Sequence, residues 1–214
     1  MNIVKNKPLF LIHILLLGDS HSMGHYGKEL NQLLGSDGNF EVSSIAVCGS
    51  TPRWFFNEVK ITCGESEKLK TVSEVPVPIK KNQRVRNIVD WLNYQKPSMV
   101  VVSLGTNFLN YQSSDSIQSE IKKMAETIKN YNAKCLWVGP PDLRIEHREK
   151  LKVINSLIQT TVKSHCDWFD STKVTQYPDG EIDKNGLHYY TKGQETAKKW
   201  AKAVYERVIY DNSK

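Results

Sequence analysis

A doubly wound α/β fold is predicted by three features of this 214-residue chain. Short apolar runs alternate along it with segments of helical periodicity, which is the pattern of a parallel sheet with helices on both faces. The clearest run, residues 98–104 (Ser-Met-Val-Val-Val-Ser-Leu), is rich in valine and sits between Pro97 and Gly105, as a buried strand should. The length suits one core and hence a single domain over 1–214.

The elements follow in order. Residues 9–17 form the first apolar run and are read as a buried strand. Residues 23–34 follow as a helix with Leu30, Leu33 and Leu34 on one face, then 40–47 as a second strand. Residues 84–94 carry Val85, Ile88, Val89 and Leu92 at helical spacing and lead into the 98–104 strand. Residues 117–131 read as helix, 135–138 as a strand stopped by Gly139-Pro140-Pro141, 145–163 as helix, 167–170 as a short strand and 191–208 as the closing helix. Five strands suit the flavodoxin-like order 2-1-3-4-5, in a three-layer α/β/α sandwich with a five-stranded parallel sheet. The stretch at about 50–83, with Pro52, Pro76 and Pro78, reads as a long loop insertion, either a lid or substrate wall or a plain insertion.

Composition narrows the class. Hydrophobic residues make up 39% and charged residues 24%, an ordinary globular balance that excludes a disordered chain. The net charge of +6 favours acidic partners. The basic residues are scattered, however, and Lys80-Lys81 and Lys198-Lys199 are only short pairs, so no nucleic-acid partner is expected. Lys5 and Lys7 before the 9–17 run resemble the start of a signal peptide. No small-residue cleavage site follows, and the run is too short to span a membrane, so no integral membrane segment is expected. A leader, if the natural chain has one, lies upstream of this start, or the start has been re-engineered.

Of the four cysteines, Cys48 and Cys63 bracket a Pro- and Gly-containing loop and stand open to either a disulfide or two thiols. A bridge there argues for an extracytoplasmic, periplasmic or secreted home over a cytoplasmic one. Cys135 and Cys166 each open a predicted strand and are expected as plain buried thiols. With no Cys-x-x-Cys, neither a zinc nor a redox site is indicated.

In a doubly wound sheet, sites lie beyond the carboxyl ends of the strands, and four places meet that condition. Gly18-Asp19-Ser20-His21-Ser22 follows the first strand and opens a helix, where N–H groups favour negative charge. Gly49 follows the second strand and can offer a backbone N–H to an oxyanion. Gly105-Thr106-Asn107 follows the clearest strand, and the Asn107 side chain can donate to the same oxyanion. Asp183-Lys184-Asn185-Gly186-Leu187-His188 precedes the closing helix, and a histidine there can act as general base. Taken singly, these are a helix cap, two turns and a lone histidine.

Together, in the order Ser, Gly, Asn, His, the four blocks resemble those of the SGNH (GDSL-like) hydrolases, from Gly18 to His188. The resemblance implies the same three-layer fold and a serine esterase. Ser20 would be the nucleophile, the Ser20 and Gly49 amides with the Asn107 side chain the oxyanion hole, and His188 the base. Cys48-Gly49-Ser50-Thr51-Pro52-Arg53-Trp54 and Gly139-Pro140-Pro141 resemble, more loosely, stretches near such active sites.

Two departures stand out. The family usually has Asp three residues before the histidine, and here that place holds Asn185. Three outcomes are ranked: Asn185 orients His188 in a slower, dyad-like enzyme; Asp183 swings in; or activity is lost and only binding kept. The family often has Asp after the block-three Asn, where this chain has Phe108, a candidate for lining an acyl or sugar pocket. His21 and His25 stand at i, i+4 on a predicted helix, but without an adjacent glutamate or a third ligand no metal is expected. No other cofactor is expected either. His13, His147 and His165 have no constellation and read as structural or surface residues. Trp54, Phe55 and Phe56 read as a sugar platform or as packing.

The expected function is hydrolysis of small acyl esters, acetyl first, on a small molecule or a cell-wall or extracellular glycan. Lysophospholipase, thioesterase and acyltransferase chemistries stand beside it. A non-catalytic glycan-binding module on the same fold is the reading from a different class.

Overall fold

The computed structural model describes residues 11–61, 63–68, 77–79, 83–111 and 113–213, with 65–68 and 77–79 described by their backbone. Strands β1 (Ile12–Gly18), β2 (Phe40–Val47), β5 (Met99–Ser103), β6 (Lys134–Val138) and β7 (Asp167–Phe169) pair in parallel in the order β2-β1-β5-β6-β7. This is the expected 2-1-3-4-5 order. Leu9 and Phe10, the start of the first apolar run, lie outside the described residues.

The two faces of the sheet divide by alternation. Leu15, Leu17, Val100, Val102 and Trp137 point to one side, against α4 (Ile88–Gln95), α5 (Ser114–Asn130) and α6 (Arg148–Val162). Ile14, Leu16, Val101, Leu136 and Val138 point to the other, against α2 (His25–Ser36) and α7 (Gln194–Asn212). Each helix offers its apolar stripe to that face: Ile117, Ile121, Met124 and Ile128 in α5, and Ala197, Trp200, Ala201, Val204 and Val208 in α7, all buried. Two separate cores on one sheet make the three-layer sandwich.

Several boundaries differ from expectation for identifiable reasons. The helix expected over 23–34 is two helices, α1 (Ser20–Met23) and α2, divided at Gly24. Helix α4 starts at Ile88 because the Asn87 side chain caps it by accepting from the Val89 amide, while Arg84 upstream bridges to Lys60. Helix α5 starts earlier than its apolar stripe because Ser113 caps it.

The stretch expected as a long loop insertion at about 50–83 contains a short helix, α3 (Trp54–Asn57), and two strands, β3 (Glu65–Lys68) and β4 (Val77–Ile79). Strand β3 pairs antiparallel with β2, and β4 pairs antiparallel with β3, so the described sheet has seven strands. Residues 62, 69–76 and 80–82 of that stretch lie outside the described residues.

Both cysteine pairs are bridged. Cys48–Cys63 joins the end of β2 to the segment before β3. The thiols expected at Cys135 and Cys166 are instead a disulfide between β6 and the residue preceding β7, which fastens the edge strand to its neighbour.

Candidate active site

The carboxyl ends of β1, β2 and β5 lie side by side, with Gly18 opposite Ala46 on one flank and Ser103 on the other. The three connections leaving them supply Ser20, Gly49 and Asn107. Chain direction turns sharply after Gly18. A Cβ at Gly18 would lie 1.9 Å from Ser22 Oγ, so the absent side chain is what lets α1 fold back over the strand end. Asp19 caps α1, its carboxylate accepting from the His21 amide at 3.0 Å, and Ser20 becomes the first helical residue. Gly49 has φ +77°, a left-handed conformation that suits glycine.

Ser20 Oγ lies 2.8 Å from His188 Nε2. His188 Nδ1 lies 3.2 Å from Asp183 Oδ2. The residue behind the ring is therefore Asp183. Asn185, ranked first for that place, uses its backbone instead: its N–H donates to Asp183 Oδ1 at 3.2 Å and its carbonyl accepts from His147 Nε2 at 2.7 Å. The Asp183 carboxylate also accepts from the amides of Leu187 and His188, each at 2.7 Å. Burial pushes this carboxyl up, but the three amide donors and the His188 ring outweigh burial and hold it below its ordinary range. It is a buried, fixed anion aimed at the far nitrogen of the imidazole.

Asn107 Nδ2 donates to the Ser50 carbonyl at 2.9 Å and stands 3.5 Å from Asp19 Oδ2, a weak contact. It thereby ties together the connections after β1, β2 and β5. Asp19 is buried, and burial pushes its carboxyl up to about 7 despite the His21 amide bond. His21 is buried beside His188, with ring centroids 5.3 Å apart, and burial, reinforced by the His188 charge, lowers it to about 3, so it is neutral. The break at Gly24 takes His21 and His25 off a common helix face, and among the described residues no three His, Cys, Asp or Glu side chains are grouped to hold a metal.

Other expectations resolve as packing. Phe108 is fully buried in the core that packs against α5 and α6. Phe55 is also core; Trp54 and Phe56 pack against it, Phe56 beneath the Lys123 ammonium. His13 is buried, bonded to the Gln95 carbonyl and Ser43 Oγ. His165 is 4.0 Å from Glu126.

Sequence reading missed the contacts of four side chains around the histidine loop. Glu181 accepts from the amides of Tyr190, Thr191 and Gly193, and Arg144 and His147 bind the loop's carbonyls. Tyr190 stacks on the His188 ring, with centroids 5.2 Å apart. Nothing in the local sequence near residue 144 announces a contact some forty residues away.

The three-layer α/β/α sandwich with parallel strands in the order β2-β1-β5-β6-β7 is the fold of the SGNH (GDSL-like) hydrolases, and this chain has that fold. Among solved structures, it is similar to TesA (15% identity, TM-score 0.60, covering 89% of this chain and 96% of that one). It is similar also to the psychrotrophic esterase EstA from Pseudoalteromonas sp. (14%, TM-score 0.61, covering 92% and 98%). A third likeness is to a catalytic mutant of Axe2, an acetylxylan esterase from Geobacillus stearothermophilus (12%, TM-score 0.59, covering 91% and 94%). No protein-family model matches the chain, and no curated protein matches it. Among the described residues, no helix is long and apolar enough to cross a membrane.

Proposed function

We propose that the chain is a serine esterase that hydrolyses small acyl esters through a Ser20 acyl-enzyme. The observation that carries this reading is the continuous line Ser20 Oγ, His188, Asp183, at 2.8 and 3.2 Å. In the first step Ser20 Oγ attacks the ester carbonyl carbon while His188 Nε2 takes its proton. The buried Asp183 anion stabilises the imidazolium and fixes the ring with its Nδ1–H toward the carboxylate. The carbonyl oxygen becomes an oxyanion, held by the Ser20 and Gly49 amides and by Asn107, whose second N–H is only weakly engaged with Asp19. Collapse expels the alcohol, which His188 protonates. Water, deprotonated by the same nitrogen, then releases the acid.

The acyl group is proposed to be acetyl and its carrier a glycan. A small cavity beside Ser20 is lined by His188, Tyr190 and Trp200. The acetylxylan esterase among the structural neighbours and the net charge of +6 agree with an acidic or acetylated polysaccharide. Two disulfides agree with an extracytoplasmic home. Asp183 rather than Asn185 at the ring supports the esterase reading over that of a non-catalytic binder.

The test compares wild type with Ser20→Ala on p-nitrophenyl acetate and with a fluorophosphonate probe. The wild type is expected to turn over and to label, and the variant to do neither. Equal hydrolysis by the two proteins would falsify Ser20 as nucleophile.

A further inference from the structure

The loop from Asp183 to His188 carries both the base and its carboxylate, yet it belongs to no strand or helix. Four of its carbonyls, from 183 to 186, have donors outside the loop. Arg144 donates through Nη1 to the Asp183 carbonyl at 3.3 Å and through Nη2 to the Lys184 carbonyl at 2.9 Å. His147 Nε2 reaches the Asn185 carbonyl at 2.7 Å, and the Arg144 amide donates to the Gly186 carbonyl at 3.0 Å. Four consecutive carbonyls of the base loop are thus held by one four-residue segment of the β6–α6 connection. The guanidinium is itself fixed, since its Nε donates to Glu146. It also lies flat against Gly186, where a Cβ would come within 2.7 Å of Arg144 Nε, so the loop's turn at φ +70° is shaped around this side chain.

From this geometry we propose that Arg144, assisted by His147, is a positioning residue that holds Asp183 and His188 in register with Ser20. The inference rests on the reading of His188 as base. Arg144 has no direct contact with the Asp183 carboxylate. It fixes the backbone at residues 183 and 184, and so sets where Oδ2 meets His188 Nδ1 and the amides of Leu187 and His188. Arginine suits the task because its rigid fork serves two adjacent carbonyls at once, whereas a lysine ammonium is a single point donor.

The experiment uses Arg144→Ala, Arg144→Lys and, should the alanine variant fail to fold, Arg144→Gln. Two readouts are taken well below each variant's Tm: steady-state hydrolysis of p-nitrophenyl acetate, and the downfield ¹H resonance of the carboxylate-bonded His188 Nδ1–H. Arg144→Ala is expected to lower kcat by roughly 10- to 100-fold, the scale of a misplaced catalytic group, with KM unchanged within about twofold and the resonance lost. Arg144→Lys is expected to recover part of both. A retained resonance with near wild-type kcat, or a kcat loss that only follows the unfolded fraction, overturns the proposal. If the wild type fails to hydrolyse the ester, the functional reading fails, and the resonance arm still decides: its presence in wild type and loss in Arg144→Ala supports the clamp. Its absence from wild type, or its persistence in the variant, refutes it.

Discussion

Asp183→Asn and Asn185→Ala separate the two residues that sequence spacing left in competition. Asp183 Oδ2 sits 3.2 Å from His188 Nδ1, so the carboxylate acts on an imidazolium whose charge centre is about 4 Å away. Two unit charges at that separation and an effective dielectric near 20 attract by about 4 kcal/mol, or roughly three decades in rate. An amide that also holds the wrong tautomer brings the loss to about 10⁴ in the serine-protease template. Asp183→Asn is therefore expected to lower kcat on p-nitrophenyl acetate by about 10³–10⁴, with a smaller effect on KM. Asn185 offers the site only its backbone N–H and carbonyl, which alanine retains, so Asn185→Ala should change kcat less than about threefold. Asn185→Asp should bring no large gain, because the place behind the ring is already filled. Thermal unfolding of each variant guards against folding loss, since Asp183 also accepts from three amides, and bonds to a charged acceptor are worth about 1.5–3 kcal/mol each. The assignment is refuted if Asn185→Ala costs as much as Asp183→Asn, or if Asp183→Asn retains more than about a tenth of the wild-type kcat.

Two further expectations concern stability. Thiol titration of the unreduced, denatured protein should find no free cysteine, and reduction should destabilise the fold by about 3 kcal/mol for the bridge of sequence separation 15 and about 4 kcal/mol for that of separation 31; titration of two or four thiols would count against the second bridge or both. Asp19 is held protonated up to about 7 when folded, while its ordinary value is 3.8, so the unfolded chain ionises first and the fold loses stability as pH rises between the two values, by about 4 kcal/mol at most. Asp19→Asn removes that loss, and its Tm relative to wild type should be clearly higher at pH 8 than at pH 5; an equal difference at both pH values contradicts the buried, protonated carboxyl.

The five parallel strands were legible because strands buried on both faces are written as short apolar runs, and 98–104 is such a run. Strands β3 and β4 were not legible. Glu-Ser-Glu-Lys at 65–68 has no apolar alternation, and what makes it a strand is the hydrogen-bond ladder to β2, a tertiary fact. Ser20 and His188 stood out because both follow strands, and their expected roles came from the resemblance of the four blocks together to the SGNH hydrolases. The rank of Asn185 over Asp183 came from counting three residues back from the histidine. Asp183 instead folds its carboxylate forward onto the amides at 185, 187 and 188, around a turn at Gly186, which is ordinary aspartate turn chemistry. Asp-x-Asn-Gly carried that signal. Arg144, His147 and Glu181 left none, because their partners are matched in space alone.

The two halves of the site are positioned by different means. Ser20 leaves the central strand β1, which is paired on both sides, so its backbone inherits the rigidity of the sheet. His188 stands 168 residues further on, beyond β7, a three-residue strand at the sheet's edge, in a loop with no ladder of its own. An edge loop can hold a 2.8 Å contact with a sheet-borne serine only if its backbone groups find partners elsewhere. Here donors and acceptors are divided between two sides: Glu181 takes the amides of Tyr190, Thr191 and Gly193, and the Arg144–His147 segment takes the carbonyls of 183 to 186. Burial raises the Glu181 carboxyl, but its amide and hydroxyl donors outweigh burial and hold it at about 2, so this half of the clamp stays charged at neutral pH. On the proposed reading, the sheet sets the position of the nucleophile, and one arginine fork with one carboxylate sets that of the base.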